Sequence, residues 1–138
     1  MDDPFSGQAA PDILIADDSR TSQEFLRGML LRLGHEANIV SNGLDAVAAA
    51  RRRTYKLIFM DIMMPGLDGL AACIEIRKIP GKRGKVPIIA LTAVPFLQRE
   101  LSSFGGRFNE ILIKPIQVAS LVALLTDLGI RSAPDPHG

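Results

Sequence analysis

Four short apolar runs in this chain each end on residues that can do chemistry. Asp12–Ala16 (DILIA) leads into Asp17-Asp18, Leu57–Met60 (LIFM) into Asp61, Val86–Leu91 (VPIIAL) into Thr92, and Ile111–Ile113 (ILI) into Lys114. Runs of this length, rich in Ile, Leu and Val, read as strands buried on both faces. Parallel strands bring their C-terminal ends to one edge, and open α/β sheets bind ligands along that edge. Three carboxylates, a hydroxyl and an ammonium are therefore expected to converge there. That set suits a metal ion and a phosphoryl group.

Helical patterns fill the intervals. Ser19–Leu33 carries Phe25, Leu26, Met29, Leu30 and Leu33 at helical spacing, with Gly34 as a stop. A short strand is expected near Glu36–Val40. Gly43–Arg53 is alanine-rich and ends in three arginines that complement a helix dipole. Met64–Gly69 is dense in turn residues. Gly69–Ile79 reads as a helix ended by Pro80-Gly81, followed by a basic loop, Gly81–Lys85. Phe96–Phe104 reads as a fourth helix, Gly105-Gly106 as a turn, and Gln117–Leu128 as a closing amphipathic helix stopped by Gly129.

Five strands alternating with five helices imply an α/β fold: a flavodoxin-like, doubly wound, five-stranded parallel sheet in the order 2-1-3-4-5, with helices on both faces. The 138 residues suit one domain, spanning 12–131, between a flexible lead-in, Met1–Pro11, and a flexible tail, Ser132–Gly138. Hydrophobic residues make up 47% of the chain, enough for a core. A net charge of +1 gives no electrostatic case for nucleic acid or an anionic membrane. No apolar run approaches the roughly 20 residues of a spanning helix, and the acidic N-terminus is unlike a signal peptide. The single cysteine, Cys73, excludes an internal disulfide. A cytoplasmic module is the expectation.

Adjacent Asp17 and Asp18 repel each other, and a hard divalent cation relieves that repulsion. Mg²⁺ takes octahedral oxygen ligands and keeps several waters. Asp18 and Asp61 are the expected direct ligands, Asp17 acts through water, and the backbone carbonyl of Met63 is a candidate third protein ligand. As a helix cap beside Ser19, the pair would need only one acid. Asp61 is the candidate nucleophile, since a carboxylate can accept a phosphoryl group to form an aspartyl phosphate. Such transfer depends on positioning and on neutralising charge over three equatorial oxygens. Lys114 and Thr92 are placed to meet two of them. Lys114 at a strand end needs an anionic partner, and Asp61 is the natural one. A cis Lys114–Pro115 peptide would aim its side chain into the site.

With these residues in place, the chain from Asp12 to Leu128 resembles the response-regulator receiver domain of two-component signalling. The resemblance rests on Asp17-Asp18, the stretch around Asp61 (MDIMMPGLDG), Leu91-Thr92-Ala93 and Lys114-Pro115, in order. It implies that Asp61 receives a phosphoryl group from a phosphohistidine on a histidine kinase or histidine phosphotransfer protein. It also implies that Mg²⁺ is required, that Thr92, Ala93 and Lys114 bind the phosphoryl group, and that the aspartyl phosphate hydrolyses in time. A downstream protein effector would read the phosphorylated state on the fourth helix, last strand and last helix.

Four positions bear on how the chain departs from the pattern. Ile111 stands where the family commonly has an aromatic switch residue, with Phe104 and Phe108 nearby. Arg107 stands where a glycine is frequent. Met63 and Val94, flanking the phosphoryl slot, are apolar; they cannot orient an attacking water, so slow self-dephosphorylation is expected.

Only ten residues follow Leu128, so no DNA-binding or enzymatic output is expected within the chain. Met1 favours a stand-alone regulator or phosphorelay shuttle, and the style of VPIIALTA and IKPI favours a receiver segment of a hybrid histidine kinase. A phosphatase that forms an aspartyl phosphate would carry a second acid two residues after the nucleophile, where this chain has Met63. The expectation is a stoichiometric phosphoacceptor rather than an enzyme. A flavin binder would need a Gly- or Ser/Thr-rich phosphate loop after the first strand, which is missing here. A phosphohistidine donor should contact Arg20, Gln23 and Glu24 and the Pro115-Ile116 loop. His35 and His137 read as incidental surface histidines.

Overall fold

The computed structural model describes residues 11–64, 66–93 and 107–130. The strands are β1 (Ile13–Ala16), β2 (Ala37–Val40), β3 (Leu57–Asp61), β4 (Ile88–Thr92) and β5 (Glu110–Ile113). They form one parallel sheet in the order β2-β1-β3-β4-β5. The helices are α1 (Arg20–Arg32), α2 (Gly43–Arg52), α3 (Gly69–Arg77) and a C-terminal helix, Val118–Asp127. The expected helix at Phe96–Phe104, the Gly105-Gly106 turn, the lead-in before Pro11 and the tail lie outside the described residues.

Alternate side chains of a strand face opposite sides of a sheet, and here each side has its own core. Ile13 and Ile15 of β1, with Leu57 and Phe59 of β3, pack against Leu26 and Leu30 of α1 and Leu121 and Leu125 of the C-terminal helix. Leu14 and Ala16, with Ile58 and Met60, pack against Val47 and Ala50 of α2 and Ala72 and Ile76 of α3. That is why the central strands read as unbroken apolar runs: both faces are covered, and β1, β3 and β4 are buried throughout. The edge strands β2 and β5 are only partly buried.

Side-chain caps set the helix starts. Ser19 Oγ accepts from Ser22 N at 3.3 Å, Asn42 Oδ1 from Asp45 N at 2.8 Å, and Asp68 Oδ1 from Ala71 N at 2.9 Å. Gly34 ends α1 at φ 89°, a conformation that suits glycine.

Most element ends shift by a residue or two, and two stretches differ more from the sequence reading. Strand β4 begins at Ile88 rather than Val86 and includes Thr92. Pro87 has no N–H to give a ladder, although its carbonyl accepts from Ile58 N at 2.9 Å. The basic stretch Gly81–Lys85 is a 3-10 helix rather than a loop. Arg77 braces it: Nη1 donates to Gly84 O at 3.0 Å and to Val86 O at 2.6 Å. The same guanidinium reaches the entry of β5, where Nε and Nη2 donate to Arg107 O and Nη2 donates to Asn109 Oδ1 at 3.0 Å. Asn109 Oδ1 also accepts from Ile88 N at 2.9 Å, which locks β5 beside β4.

Cys73 lies on the inner face of α3, fully buried, and burial pushes its thiol pKa up to about 11. The thiolate is the reactive form. Native protein at pH 8 should therefore stay unlabelled by a maleimide over minutes, and protein unfolded in urea should label completely. Rapid labelling of the native chain would show that α3 is not packed as described.

Candidate functional site

The sheet delivers the site residues to one edge. Asp17 directly follows β1, Asp61 and Thr92 are the last residues of β3 and β4, and Lys114 directly follows β5. Ladder-like backbone bonds continue past the strands and fix this edge. Asp17 N donates to Val40 O at 3.1 Å, Ile62 N to Leu91 O at 3.1 Å and Lys114 N to Thr92 O at 2.8 Å. The Lys114–Pro115 peptide is cis.

Lys114 Nζ is the hub. It donates to Asp17 Oδ2 at 2.8 Å, to Asp61 Oδ2 at 3.1 Å and to Ser22 Oγ at 3.3 Å, which occupies all three of its donors. Asp17 Oδ1 accepts from Ser19 N at 2.9 Å, and Asp61 Oδ1 from Met63 N at 3.0 Å. Asp17 is 1% exposed and Asp61 6%. Burial holds the Asp61 carboxyl above its usual range, against the pull of the Met63 N–H and of Lys114. Burial alone would lower the Lys114 pKa, but its two carboxylate partners together raise it, so the lysine stays charged.

Carboxylate oxygens of Asp17, Asp18 and Asp61 lie within 4.8 Å of one another. Asp18 is exposed, and its carboxylate makes no hydrogen bond among the described residues. Three acids facing one lysine leave an excess negative charge, and all the available donor atoms are hard oxygens. That chemistry fits a divalent cation such as Mg²⁺. Both oxygens of Asp17 and both of Asp61 already accept hydrogen bonds, so Asp18 is the acid of the three with its carboxylate open among the described residues.

Gly69 lets α3 start directly behind the site. A Cβ there would lie 2.1 Å from Asp61 O, so any side chain would push α3 off the end of β3. Thr92 is 1% exposed, and Ala93 and the Met63 side chain are exposed, Met63 at 68%. Val94 lies outside the described residues, as does Phe104. Ile111 pairs with Ala90 in the β4–β5 register, and Ile111 and Phe108 both pack on the small cluster of Ile62 and Ala90.

Gln23 corrects the sequence reading. Expected as a surface contact for a donor, it is 9% exposed. Its Nε2 donates to the Asp17 carbonyl and, at 3.1 Å, to Ser41 Oγ, tying α1 to the ends of β1 and β2. Ser22, the third partner of Lys114, was also missed. A signal for Gln23 existed: it shares a helical stripe with Leu26 and Leu30, and a polar residue on an apolar stripe needs a buried partner. His35, read as a surface residue, is half-buried at the opposite edge of the sheet.

Comparison with known proteins agrees with this geometry. Residues 13–126 match the family described as the response regulator receiver domain. The chain is 33% identical to the sensor protein GacS of Pseudomonas syringae pv. syringae, over 94% of this chain but 15% of GacS. It is 31% identical to a 14.6 kDa protein of Leptolyngbya boryana, over 92% of this chain and 96% of that protein. The chain therefore spans a small part of some relatives and nearly all of another. Among solved structures, it is similar to the receiver domain of sensor histidine kinase PA1611 from Pseudomonas aeruginosa PAO1, at TM-score 0.79 and 37% identity, covering 88% of this chain and 99% of that one. That structure carries a magnesium ion coordinated in its active-site cleft. Among the described residues, no helix is long and apolar enough to cross a membrane.

Removing the Lys114 charge should leave two buried carboxylates facing each other. Lys114→Met is expected to lose about 3 kcal/mol of stability in EDTA at pH 8, measured by urea unfolding. The folded variant would then bind protons more tightly than the unfolded chain, so its deficit should shrink as the pH falls into the carboxylate range. Mg²⁺ should restore part of the loss. A variant as stable as wild type in EDTA would refute the account of Lys114 as the balancing charge.

Proposed function

The chain belongs to the response regulator receiver domain family, and on that premise we propose that Asp61 is its phosphoacceptor, charged from a phosphohistidine on a histidine kinase or histidine phosphotransfer protein. The observation that carries the proposal is the ammonium of Lys114 held between Asp17 and Asp61 at the strand ends, at 2.8 and 3.1 Å.

An Asp61 carboxylate oxygen attacks phosphorus, and the phosphorus–nitrogen bond breaks with its electron pair passing to the imidazole. The product is an aspartyl phosphate. Asp18 and Asp61 would hold Mg²⁺ directly, with the Met63 carbonyl as a further ligand and Asp17 acting through water. When bound, Mg²⁺ neutralises charge on the phosphoryl oxygens. Lys114 turns from a carboxylate to a phosphoryl oxygen, the Thr92 hydroxyl donates to another, and the Ala93 N–H lines the same slot. Ser22 and the Ser19 N–H keep the rest of the acidic edge in place during this exchange.

The donor approaches over Arg20 and Glu24 and the Pro115-Ile116 loop. The effect passes to a downstream protein effector, with no nucleic-acid contact and no catalytic turnover. Ile111 bears on how the state is reported. It packs on Ala90 and Ile62, close to the end of β3, and an aliphatic side chain there has no ring to rotate inward. The chain spans 15% of one relative and 96% of another, so its match fits both a stand-alone regulator and a segment of a longer hybrid kinase.

The direct test is labelling with a small phosphodonor. Wild type should take up one phosphoryl group per chain with Mg²⁺ and none in EDTA, and Asp61→Asn should take up none. Labelling that survives Asp61→Asn would overturn the assignment. Repeated hydrolysis of a generic phosphate ester would instead favour a phosphatase.

Met63 bears on the lifetime of the product. Its exposed thioether offers water no strong hydrogen-bond partner beside Asp61. Met63→Asn supplies one, and should shorten the half-life of the aspartyl phosphate by about tenfold, equivalent to about 1.4 kcal/mol on the barrier. Phosphate release timed in both proteins checks this, and equal lifetimes would sink it.

A further inference from the structure

The edge of the sheet opposite the phosphoacceptor carries a cleft of about 610 Å³, within the size range of small-molecule sites. It lies where the strands begin: Asp12 and Ile13 enter β1, Tyr55 and Lys56 enter β3, and Val86 and Pro87 enter β4. Leu128–Ile130, just past the C-terminal helix, close one side.

Its charge is one-sided. Asp12 is the only acid in the lining, and Lys56 pairs with it at 3.5 Å. Lys82 and Lys85, both on the 3-10 helix, also line the cleft and have no acidic partner among the described residues. His35 contributes to the wall, and its Nε2 is a buried polar atom with no hydrogen-bond partner among the described residues. Such a nitrogen costs stability until a partner is supplied. Ile13, Val86 and Ile130 make the rest of the wall apolar.

We propose that this cleft is a second binding site, for a small organic anion: a carboxylate on an apolar body. Lys82 and Lys85 balance the carboxylate, His35 in its Nε2–H tautomer supplies a donor, and the aliphatic wall covers the body. The site uses none of the phosphoacceptor residues. It joins three parts of the chain that are far apart in sequence: the start of the sheet, the 3-10 helix and the end of the C-terminal helix.

The test is a titration of the full ¹⁵N-labelled chain, in a buffer free of other carboxylates, with benzoate, benzamide and acetate. Benzoate should give saturable amide shifts at Tyr55, Val86 and Ile130. Benzamide, which keeps the body and loses the charge, should bind at least tenfold more weakly, and so should acetate, which keeps the charge and loses the body. Lys82→Ala with Lys85→Ala, both exposed positions, should weaken benzoate at least tenfold while leaving phosphodonor labelling of Asp61 unchanged. His35→Leu should weaken it as well. Shifts that never saturate, a double variant that binds like wild type, equal binding of benzamide and benzoate, or shifts centred on Asp17, Asp61 and Lys114 would each overturn the proposal.

Discussion

A single ammonium makes the acidic edge tenable. Two carboxylates buried to within a few per cent of complete would repel each other strongly. Lys114 Nζ lies between them, and Ser22 takes its remaining donor. The arrangement draws on four separate parts of the chain: β1, α1, β3 and the exit from β5. A parallel sheet is what brings these ends together, because every strand points its C-terminal end the same way. The chemistry and the topology are therefore one constraint. Without the sheet order the lysine does not reach, and without the lysine the sheet carries uncompensated charge at its working edge.

Charge balance also explains why the site is receptive. One cation against three acids leaves the edge electron-rich, and Asp18 stands outside the hydrogen-bonded group. A divalent ion would complete a balance that the protein side chains leave open. Asp61 sits at the centre of it, with one oxygen steadied by the Met63 N–H and the other by Lys114. It is also the positioning that the proposed phosphoryl transfer demands.

Much of this was legible in the sequence because buried parallel strands are unbroken apolar runs with abrupt polar ends. The DILIA and LIFM runs carry strand and endpoint together, so the positions of Asp17 and Asp61 follow from the sequence itself. Residues whose role depends on a partner far along the chain were less visible. Gln23 looked like a surface residue at the start of a helix, and only the packing of α1 on the sheet shows its amide turned towards Asp17 O and Ser41. Ser22 was hidden for the same reason. The start of β4 was misplaced because Val86 and Pro87 look like strand by composition, whereas the ladder needs the N–H that proline lacks. The stretch Gly81–Lys85 reads as loop from its glycines and charges, and its 3-10 turn is braced by Arg77, whose bonds to it span the chain from α3 to β4.

Arg77 has a mechanical consequence. Its guanidinium clamps the carbonyl of Arg107 and the amide side chain of Asn109, so the entry of β5 is tethered to α3 and to the start of β4. The exit of β5 is held by the backbone bond from Lys114 N to Thr92 O and by the Lys114 side chain, whose contacts the proposed phosphorylation would rearrange. The two ends of the edge strand are thus held differently: the entry by a guanidinium remote from the acidic edge, the exit by groups that belong to it, so a change in the Lys114 side-chain contacts acts on β5 at its exit.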